Sequence, residues 1–312
     1  MSCIGAGIDV SMDTLDVALH NQKATLIVTN TPQGWRQLHQ WLSPFGPEQV
    51  VLEATGGYEI DALDGLHALG LPMVRINPRQ ARDFAKSTGQ LAKTDQLDAR
   101  TLAHMASALT LNRYKPKDEA ARELHEIHRR RQQVVQMLVA ERLRRRLTKD
   151  PKVREMLEQH IQTLEADCKT LDKMIAQQIE GTLQAEIGAS IKGVGPITIA
   201  TLICEMPELG HVNRKAIAKL YGLAPLARDS GKSRGKRTTW GGRKGPRSAI
   251  YMSTLTAIRY EPKIQTFYTR LVESGKPRKL AVNASMRKLV TMLNGRMRDA
   301  MHKPPEEAVH VA

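Results

Sequence analysis

The sequence predicts an α/β domain at the N-terminal end, a long helical hairpin in the middle and a mainly α-helical C-terminal domain. Three observations predict this order. Strand-like apolar runs alternate with amphipathic helical segments in the first third, helical periodicity then continues from 118 to 187 with one break at Pro151, and the chain after 188 is rich in Gly and basic residues. We place the domain boundaries at 1–112, 113–188 and 189–312.

The elements of the N-terminal domain follow from these patterns in order. Residues 4–8 form a strand that leads into Asp9, and a second strand-like run over 15–27 follows after a gap short enough for a hairpin. The later strands are predicted at 49–52 and 72–76, and the helices at 32–42, 59–69, 79–87 and 95–109. Gly70 stops the helix that begins at Glu59.

The middle segment carries an apolar seam at heptad spacing. Its members alternate at intervals of four and three residues and are Leu157, Ile161, Leu164, Cys168, Leu171 and Ile175. About three repeats suit an antiparallel helical hairpin or a contact in a dimer. A helix packed on its own domain would give the same pattern.

The C-terminal segment begins with a Gly-x-Gly turn, Gly193-Val194-Gly195, before an apolar helical run over 197–204. Such a turn between two short helices is typical of a helix-hairpin-helix, whose backbone N–H groups can bind a DNA phosphate. A plain helix–helix turn is the alternative.

Charge points to a polyanionic partner. The 312 residues include 47 Lys and Arg against 32 acids, a formal charge of +15, and aromatic residues are only 4%. Residues 1–110 have a net charge of −3, while 191–260 carry +10 and 261–312 carry +5. This distribution favours nucleic acid as the partner of the later part of the chain.

Other classes of protein lack support. The N-terminal end has no basic stretch followed by an apolar one, as a secretory signal would require, and no apolar run reaches about 18 residues, the length of a membrane span. Three widely separated cysteines, Cys3, Cys168 and Cys204, form neither a disulfide framework nor a CxxC metal site. We therefore expect a cytoplasmic protein without a membrane partner.

Four carboxylates of the N-terminal domain suit a metal site. Asp9 and Glu53 each end a predicted strand, and Asp95 and Asp98 lie at i, i+3 where a helix begins. Phosphodiester cleavage is assisted by paired Mg²⁺ ions, which prefer oxygen ligands. Carboxylates on two strand ends and one helix face are typical of an RNase H-like nuclease.

Simpler roles remain open for these four residues, such as turn formation for Asp9 and Glu53 and favourable helix-dipole charges for Asp95 and Asp98. The periodicity does not exclude other acids nearby, namely Asp13, Asp16, Glu59, Asp61 and Asp64.

The chain resembles a known family in eight segments that occur in order. In the first half these are Gly7–Ser11, Leu52–Tyr58, Ile76–Pro78 and Lys93–Arg100, and in the second half Ile191–Gly195, Tyr221–Pro225, Asp229–Gly231 and Arg247–Met252. They are similar to the DEDD transposases of insertion-sequence family one-ten, described as bridge-RNA-guided recombinases. The collinear order of the segments, rather than any one of them, carries the resemblance.

The resemblance implies a fold and a chemistry. It implies a RuvC-like form of the RNase H fold over 1–112, with Asp9, Glu53, Asp95 and Asp98 as catalytic ligands of Mg²⁺ or Mn²⁺. It implies Ser230 as a serine nucleophile and the helical hairpin as a coiled coil that joins protomers. Family members form dimers that pair into a tetramer, and a non-coding guide RNA selects donor and target duplex DNA.

Ser230 lies in a strongly basic tract. A serine hydroxyl needs activation, and Arg and Lys stabilise charge on a phosphoryl group. Ser233 is the rival nucleophile, and a basic loop that binds DNA non-covalently is the simpler interpretation. The residues that we expect to contact nucleic acid are Lys192, Gly193, Gly195, Arg228, Lys232, Arg234, Lys236, Arg237, Arg243 and Lys244. The clusters 129–131 and 144–146 could contact nucleic acid or be solvated helix faces.

Three other functions are alternatives. A plain nuclease or Holliday-junction resolvase would use the four acids without Ser230. An actin-like ATPase or sugar kinase would need a second phosphate-binding turn, which the sequence lacks. A non-catalytic nucleic-acid scaffold would need none of the four acids.

Overall fold

The computed structural model describes residues 4–89, 95–116, 118–226 and 238–302, with the backbone alone for residues 95–98. The chain forms two compact units, 1–117 and 118–312. An α/β first unit and a helical second unit are confirmed, whereas the boundaries at 112 and 188 stay a prediction.

The first unit contains five strands, four α-helices and a short 3-10 helix (Ser43–Phe45) among its described residues. The strands are β1 (Gly5–Val10), β2 (Thr14–Leu19), β3 (Thr25–Thr29), β4 (Gln49–Glu53) and β5 (Met73–Ile76). The helices are α1 (Pro32–Leu42), α2 (Glu59–Ala68), α3 (Pro78–Ser87) and α4 (Asp95–Ala108). These bounds confirm the predicted helices and the strands near 4–8, 49–52 and 72–76.

One predicted strand is wrong. The run over 15–27 is two strands, β2 and β3, which pair antiparallel and are joined through 20–24. Asn21 adopts a left-handed φ of 59°, a conformation that Asn tolerates better than most residues, and this turns the chain. The apolar residues on both sides hid the turn from a pattern that counts only hydrophobic positions.

The five strands form one mixed sheet in the order β3-β2-β1-β4-β5. The first three strands are antiparallel, and β4 and β5 run parallel to β1. One face packs against α1 and α2 through residues such as Ile8, Leu52 and Leu66, and the other packs against α3 and α4 through Val51 and Leu102. Strands β1 and β4 are therefore covered on both faces and lie at the centre of the sheet.

The second unit is helical apart from a two-stranded ribbon. Its helices are α5 (Glu119–Leu147), α6 (Pro151–Gln178), α7 (Leu183–Ala189), α8 (Pro196–Glu205), α9 (Arg214–Leu220), α10 (Lys244–Tyr260), α11 (Pro262–Glu273) and α12 (Arg278–Met301). The ribbon pairs β6 (Pro225–Leu226) with β7 (Thr238–Thr239). No helix in the described ranges is long and apolar enough to cross a membrane.

Helices α5 and α6 form an antiparallel hairpin. The heptad seam faces inward, where Ile161 and Leu164 pack against Val134 and Leu138 of α5. Ion pairs cross the hairpin between its middle and its tip, and they are Arg131–Asp172, Arg142–Glu165 and Arg145–Glu158. Part of each arginine cluster therefore stabilises the hairpin.

The predicted helix over 152–187 is also wrong in extent. α6 ends at Gln178, Gly181 turns the chain with a φ of 72°, and the Thr182 side chain caps α7. The apolar periodicity runs through this break because both helices pack on the same core, which includes Ile175, Ile179 and Ile187.

Candidate active site

Asp9 and Glu53 lie on neighbouring strands at the same end of the sheet. β1 and β4 pair in parallel, with Gly7 opposite Val51 and Ile8 opposite Leu52, so Asp9 and Glu53 are one position beyond the last register pair. Side chains alternate along a strand, and this places both carboxylates on the face that α4 covers. Both residues are half-buried.

Helix α4 lies directly on β1 because that strand has glycine where the helix crosses it. A Cβ on Gly7 would lie 2.2 Å from the carbonyl oxygen of Ala99, and one on Gly5 would lie 2.5 Å from the backbone nitrogen of Ser107. The helix therefore runs antiparallel to the strand, with its first residues near the strand's last ones.

This close packing determines where the first turn of α4 lies. Two residues of a strand span about 6.6 Å along its axis, which is close to the pitch of an α-helix, about 5.4 Å for one turn. Since Gly7 lies against Ala99, Asp9 is level with the turn that contains Asp95 and Asp98. The backbone brings all four predicted residues to one end of the sheet. The side chains of Asp95 and Asp98 lie outside the described residues.

A fifth carboxylate lies beside Asp9. Asp16 of β2 is the antiparallel register partner of Asp9 and shares its face of the sheet. Asp61 and Asp64 belong to α2, which packs on the opposite face, and Asp64 accepts a hydrogen bond from the Tyr114 hydroxyl at 2.5 Å. Of the acids left open by the sequence, Asp16 is thus the register partner of Asp9, while Asp13 is exposed in the turn between β1 and β2.

Glu59 holds the loop that follows Glu53. Its Oε2 accepts hydrogen bonds from the backbone N–H groups of Thr55 (3.1 Å) and Gly57 (2.9 Å). Its Oε1 accepts one from Arg75 Nη2 at 2.6 Å, and its side chain is fully buried. Burial alone would raise the pKa of Glu59, but the backbone hydrogen bonds and the Arg75 charge together lower this pKa below its ordinary value.

Asn30 joins the loops that follow β1 and β4. Its Nδ2 donates to the carbonyl oxygens of Ser11 and Tyr58, both at 3.1 Å, and its Oδ1 accepts from Trp35 Nε1 at 3.0 Å. Sequence reasoning missed both Asn30 and the supporting role of Glu59. The available signal was the spacing of Glu59, six residues after Glu53 and shortly after two glycines.

The donor set fits a hard divalent cation. Carboxylate oxygens on two strand ends and one helical turn are the ligands that Mg²⁺ and Mn²⁺ favour. Among the described residues, there is no group of three or more His, Cys, Asp or Glu side chains that could hold a metal ion. The side chains of Asp95 and Asp98 are not among the described ones. The fit therefore depends on the chemistry of the donors and on the backbone positions.

The predicted nucleophile belongs to the second unit, in a segment outside the described residues. That segment, 227–237, contains Ser230 and Ser233 and five of the predicted nucleic-acid contacts, namely Arg228, Lys232, Arg234, Lys236 and Arg237. Leu226 and Thr238, on either side of it, are register partners in the β6–β7 ribbon. Asn283 of α12 donates to the Thr239 hydroxyl at 3.0 Å and holds the ribbon to the helices.

The turn between α7 and α8 has the predicted form, helix, Gly-x-Gly turn and helix. Gly193 has a φ of 102°, and a Cβ there would lie 2.7 Å from the backbone nitrogen of Ala257 in α10. The Lys192 N–H donates to Glu261 at 3.2 Å. Packing against α10 thus explains the glycine at 193, while Gly195 has no heavy atom near its Cβ direction and the Lys192 side chain is exposed.

Arg243 is engaged with the protein itself. Its two terminal nitrogens bind both carboxylate oxygens of Glu208, at 2.6 and 2.5 Å, and Nη1 also donates to the Glu205 carbonyl oxygen at 2.8 Å. The hydrogen bonds with Glu208 raise the pKa of Arg243. Lys244 follows it at the start of α10 and is exposed. Nucleic-acid contact by both residues stays a prediction.

Comparison with known proteins identifies the class of this chain. A model described as "Transposase", for the DEDD transposases of IS110, matches residues 6–149, and one described as "Transposase IS116/IS110/IS902 family" matches residues 185–269. The two matches cover the carboxylate-bearing sheet and residues 118–149 and 185–269 of the second unit, and they define a DNA transposase. The chain belongs to the IS110 family, which confirms the resemblance found in the sequence.

Two curated relatives match along their whole length. The chain is 28% identical over 328 aligned positions to the "Pilin gene-inverting protein" of Moraxella lacunata and to that of Moraxella bovis, covering 99% of this chain and 100% of each relative. It is also 26% identical over 138 positions to the "Insertion element IS110 uncharacterized 43.6 kDa protein" of Streptomyces coelicolor, covering 42% of this chain and 33% of that protein.

Proposed function

We propose that this transposase cuts and rejoins duplex DNA through a covalent phosphoserine bond, with Mg²⁺ or Mn²⁺ bound by Asp9, Glu53, Asp95 and Asp98. The observation that carries the proposal is the convergence of Asp9, Glu53 and the first turn of α4 at one end of the sheet. When bound, the cations would stabilise negative charge on the attacking and departing oxygens of the phosphodiester.

The proposed reaction has two steps, and Ser230 takes part in both. The Ser230 hydroxyl loses its proton to a base and attacks the DNA phosphorus, and the bond from phosphorus to the departing deoxyribose oxygen breaks. That oxygen takes up a proton and becomes a free hydroxyl end. The hydroxyl end of another strand then attacks the phosphoserine and restores the Ser230 hydroxyl, so each step exchanges one phosphodiester for another.

Further parts of the proposal concern fold and partners. The sheet order, with three antiparallel strands and two parallel additions, supports a RuvC-like form of the RNase H fold. The α7–α8 turn supports a helix-hairpin-helix, and its DNA contacts would involve Lys192 and Gly195.

A non-coding guide RNA would select the DNA, because contacts with phosphates carry no sequence information. With DNA and RNA as its substrates, the protein would act in the cytoplasm, where it would meet the DNA of the nucleoid.

Assembly is the last part of the proposal. Near the tip of the α5–α6 hairpin, large apolar side chains are exposed, for example Leu143 (54%), Leu147 (83%) and Met156 (68%). Exposed apolar clusters of this kind favour association, which supports a coiled-coil contact in a homodimer that pairs into a tetramer. Sedimentation of Leu147→Ser against the parent chain tests this, and an unchanged dimer would contradict it.

The covalent step is tested with a nicked suicide substrate that traps a protein–DNA adduct. We expect Ser230→Ala to abolish the adduct, while the matched variant Ser233→Ala retains it. An adduct that persists in Ser230→Ala and disappears in Ser233→Ala would reassign the nucleophile. Cleavage by the parent chain without any adduct would instead favour the nuclease or resolvase alternative.

A further inference from the structure

A cleft beside α11 and α12 has both apolar and cationic side chains in its lining. It has a volume of about 350 Å³, and its lining consists of Pro262, Lys263, Thr266, Phe267, Arg270 and Lys288. Three of these six side chains are cations and none is an acid. None of them belongs to the nucleic-acid contacts predicted from the sequence.

Phe267 positions two of the cations. Lys263, Phe267 and Arg270 occur at i, i+4 and i+7 of α11 and so share one helix face, while Lys288 comes from α12. The Lys288 ammonium lies 4.5 Å from the centre of the Phe267 ring, and the Arg270 guanidinium carbon lies 5.4 Å from it. The negative face of an aromatic ring attracts cations at such distances.

The charge of the cleft is not compensated by nearby carboxylates. Within the part of the chain that the structure describes, Lys263, Arg270 and Lys288 form no ion pair. Residues 262–290 contain seven Lys and Arg and a single acid, Glu273. The Thr266 hydroxyl donates to the Pro262 carbonyl oxygen at 2.9 Å, so the cations are the donors that remain for a ligand. Cations gathered without acids repel one another, and a bound anion removes that repulsion.

We propose that this cleft binds the phosphates of a nucleic-acid strand, with Lys263, Arg270 and Lys288 as the contacting residues. The planar guanidinium of Arg270 suits two phosphate oxygens at once, and the lysines supply point charges on either side. The choice of nucleic acid as the polyanion rests on the proposed function. DNA and guide RNA share this phosphate chemistry, and the experiment distinguishes them.

The test compares two triple variants of the full chain that lose the same charge. The cleft variant is Lys263→Ala with Arg270→Ala and Lys288→Ala. The matched control is Lys276→Ala with Arg278→Ala and Lys279→Ala, one exposed residue of the α11–α12 connection and the first two of α12, none of which lines the cleft. Binding is measured with duplex DNA, single-stranded DNA and single-stranded RNA of one length, over a range of salt concentrations.

We expect the cleft variant to lower the salt slope of binding by about two to three, at about 0.7–0.9 for each phosphate that is no longer neutralised, and to weaken affinity about a hundredfold near physiological salt. The control should change the slope by less than about one. Weaker binding of duplex DNA alone assigns the cleft to DNA, and weaker binding of RNA alone assigns it to the guide. Equal effects in cleft and control variants, or unchanged binding of every probe, would overturn the proposal.

Phe267→Leu keeps every charge and is the second readout. Because the ring only holds the cations in place, we expect affinity to fall about twofold to fivefold, without a change in thermal unfolding large enough to indicate misfolding. An affinity identical to the parent chain would contradict the role of Phe267. Binding needs no strand transfer, so these results can be read even if the parent chain forms no phosphoserine adduct.

Discussion

The two units of the chain differ in charge and in how they present their candidate functional residues. Residues 1–117 contain eleven basic and eleven acidic residues, so the whole formal charge of +15 belongs to 118–312. In the first unit, carboxylates gather at one end of a sheet. In the second, cations are spread over helices and the segment 227–237.

This difference teaches how a strongly basic protein can keep an acidic site. A cluster of carboxylates repels DNA until cations bind to it, whereas dispersed Lys and Arg attract DNA along its whole backbone. In the first unit, the packing of α4 on β1 positions the acids, whereas basic residues of the second unit such as Lys192 and Lys244 are exposed. Variants in each unit test that division, and the largest effect is expected at the carboxylates.

Asp9→Asn should remove a metal ligand and leave DNA binding intact. Changes in groups that only support a metal ligand already cost about 10–100-fold, so we expect strand transfer to fall by more than about 100-fold. Affinity for duplex DNA, measured under conditions without cleavage, should stay within about twofold of the parent chain, because the second unit, which carries the positive charge, is unchanged. The control is Asp13→Asn, at an exposed turn position. Equal activity of the two variants would contradict the assignment of Asp9.

Glu59→Gln should disturb the loop that follows Glu53 and lower the affinity of the site for Mg²⁺. We expect strand transfer to fall about 10–100-fold and to recover in part at high Mg²⁺, as for a group that positions a ligand. Asp61→Asn, an exposed position on the same helix, is the control. Activity that falls without any shift in Mg²⁺ dependence would indicate a purely structural role.

The same residue predicts a dependence of stability on pH. The folded-state pKa of Glu59 is below its ordinary value of 4.5, so its contribution to stability is present above that value and is lost as pH falls through the folded pKa. Denaturant unfolding of the parent chain and Glu59→Gln should therefore differ most near neutral pH and converge in acid. A difference that grows in acid would contradict the assignment.

Gly7→Ala should push α4 away from β1. Its Cβ would lie 2.2 Å from a backbone oxygen, so we expect the free energy of unfolding to fall by about 1–3 kcal/mol, together with loss of strand transfer. Gly295→Ala, an unobstructed position within helix α12, should instead stabilise the chain by about 0.5–1 kcal/mol. Gly7→Ala with parental stability would contradict the close packing.

Lys192→Ala should give the smallest effect. As one phosphate contact beside the α7–α8 turn, it should reduce the salt slope of DNA binding by about one and weaken binding of all sequences alike. Lys23→Ala, exposed in the neutral unit, should leave the slope unchanged. A larger change of the salt slope in Lys23→Ala than in Lys192→Ala would contradict the proposal that the second unit supplies the contacts with DNA.

Much of the fold was accessible from sequence because its patterns are local. Glu53 ends an apolar strand and Asp9 is the last residue but one of another, and the α5–α6 hairpin follows its heptad seam. The turn at 20–24 and the break at 179–182 were missed because each depends on one or two residues with a left-handed backbone, Asn21 and Gly181, within apolar surroundings.

The supporting residues of the site could not be predicted because they depend on distant contacts. Asn30 becomes important only when β1 and β4 become neighbours, and Glu59 only when Arg75 of β5 pairs with its carboxylate. Asp16 required the register between β1 and β2. The cleft beside α11 and α12 was hidden for the same reason, since Lys288 is far from Phe267 in sequence.

The central claim is that carboxylates of the neutral unit and a serine of the basic unit serve one reaction. It is tested most directly by measuring the Mg²⁺-dependent covalent adduct on a suicide DNA substrate for the parent chain and for Asp9→Asn, at DNA concentrations that saturate both. We predict an adduct that requires Mg²⁺ in the parent chain and is absent in Asp9→Asn. An undiminished adduct in Asp9→Asn would contradict the account.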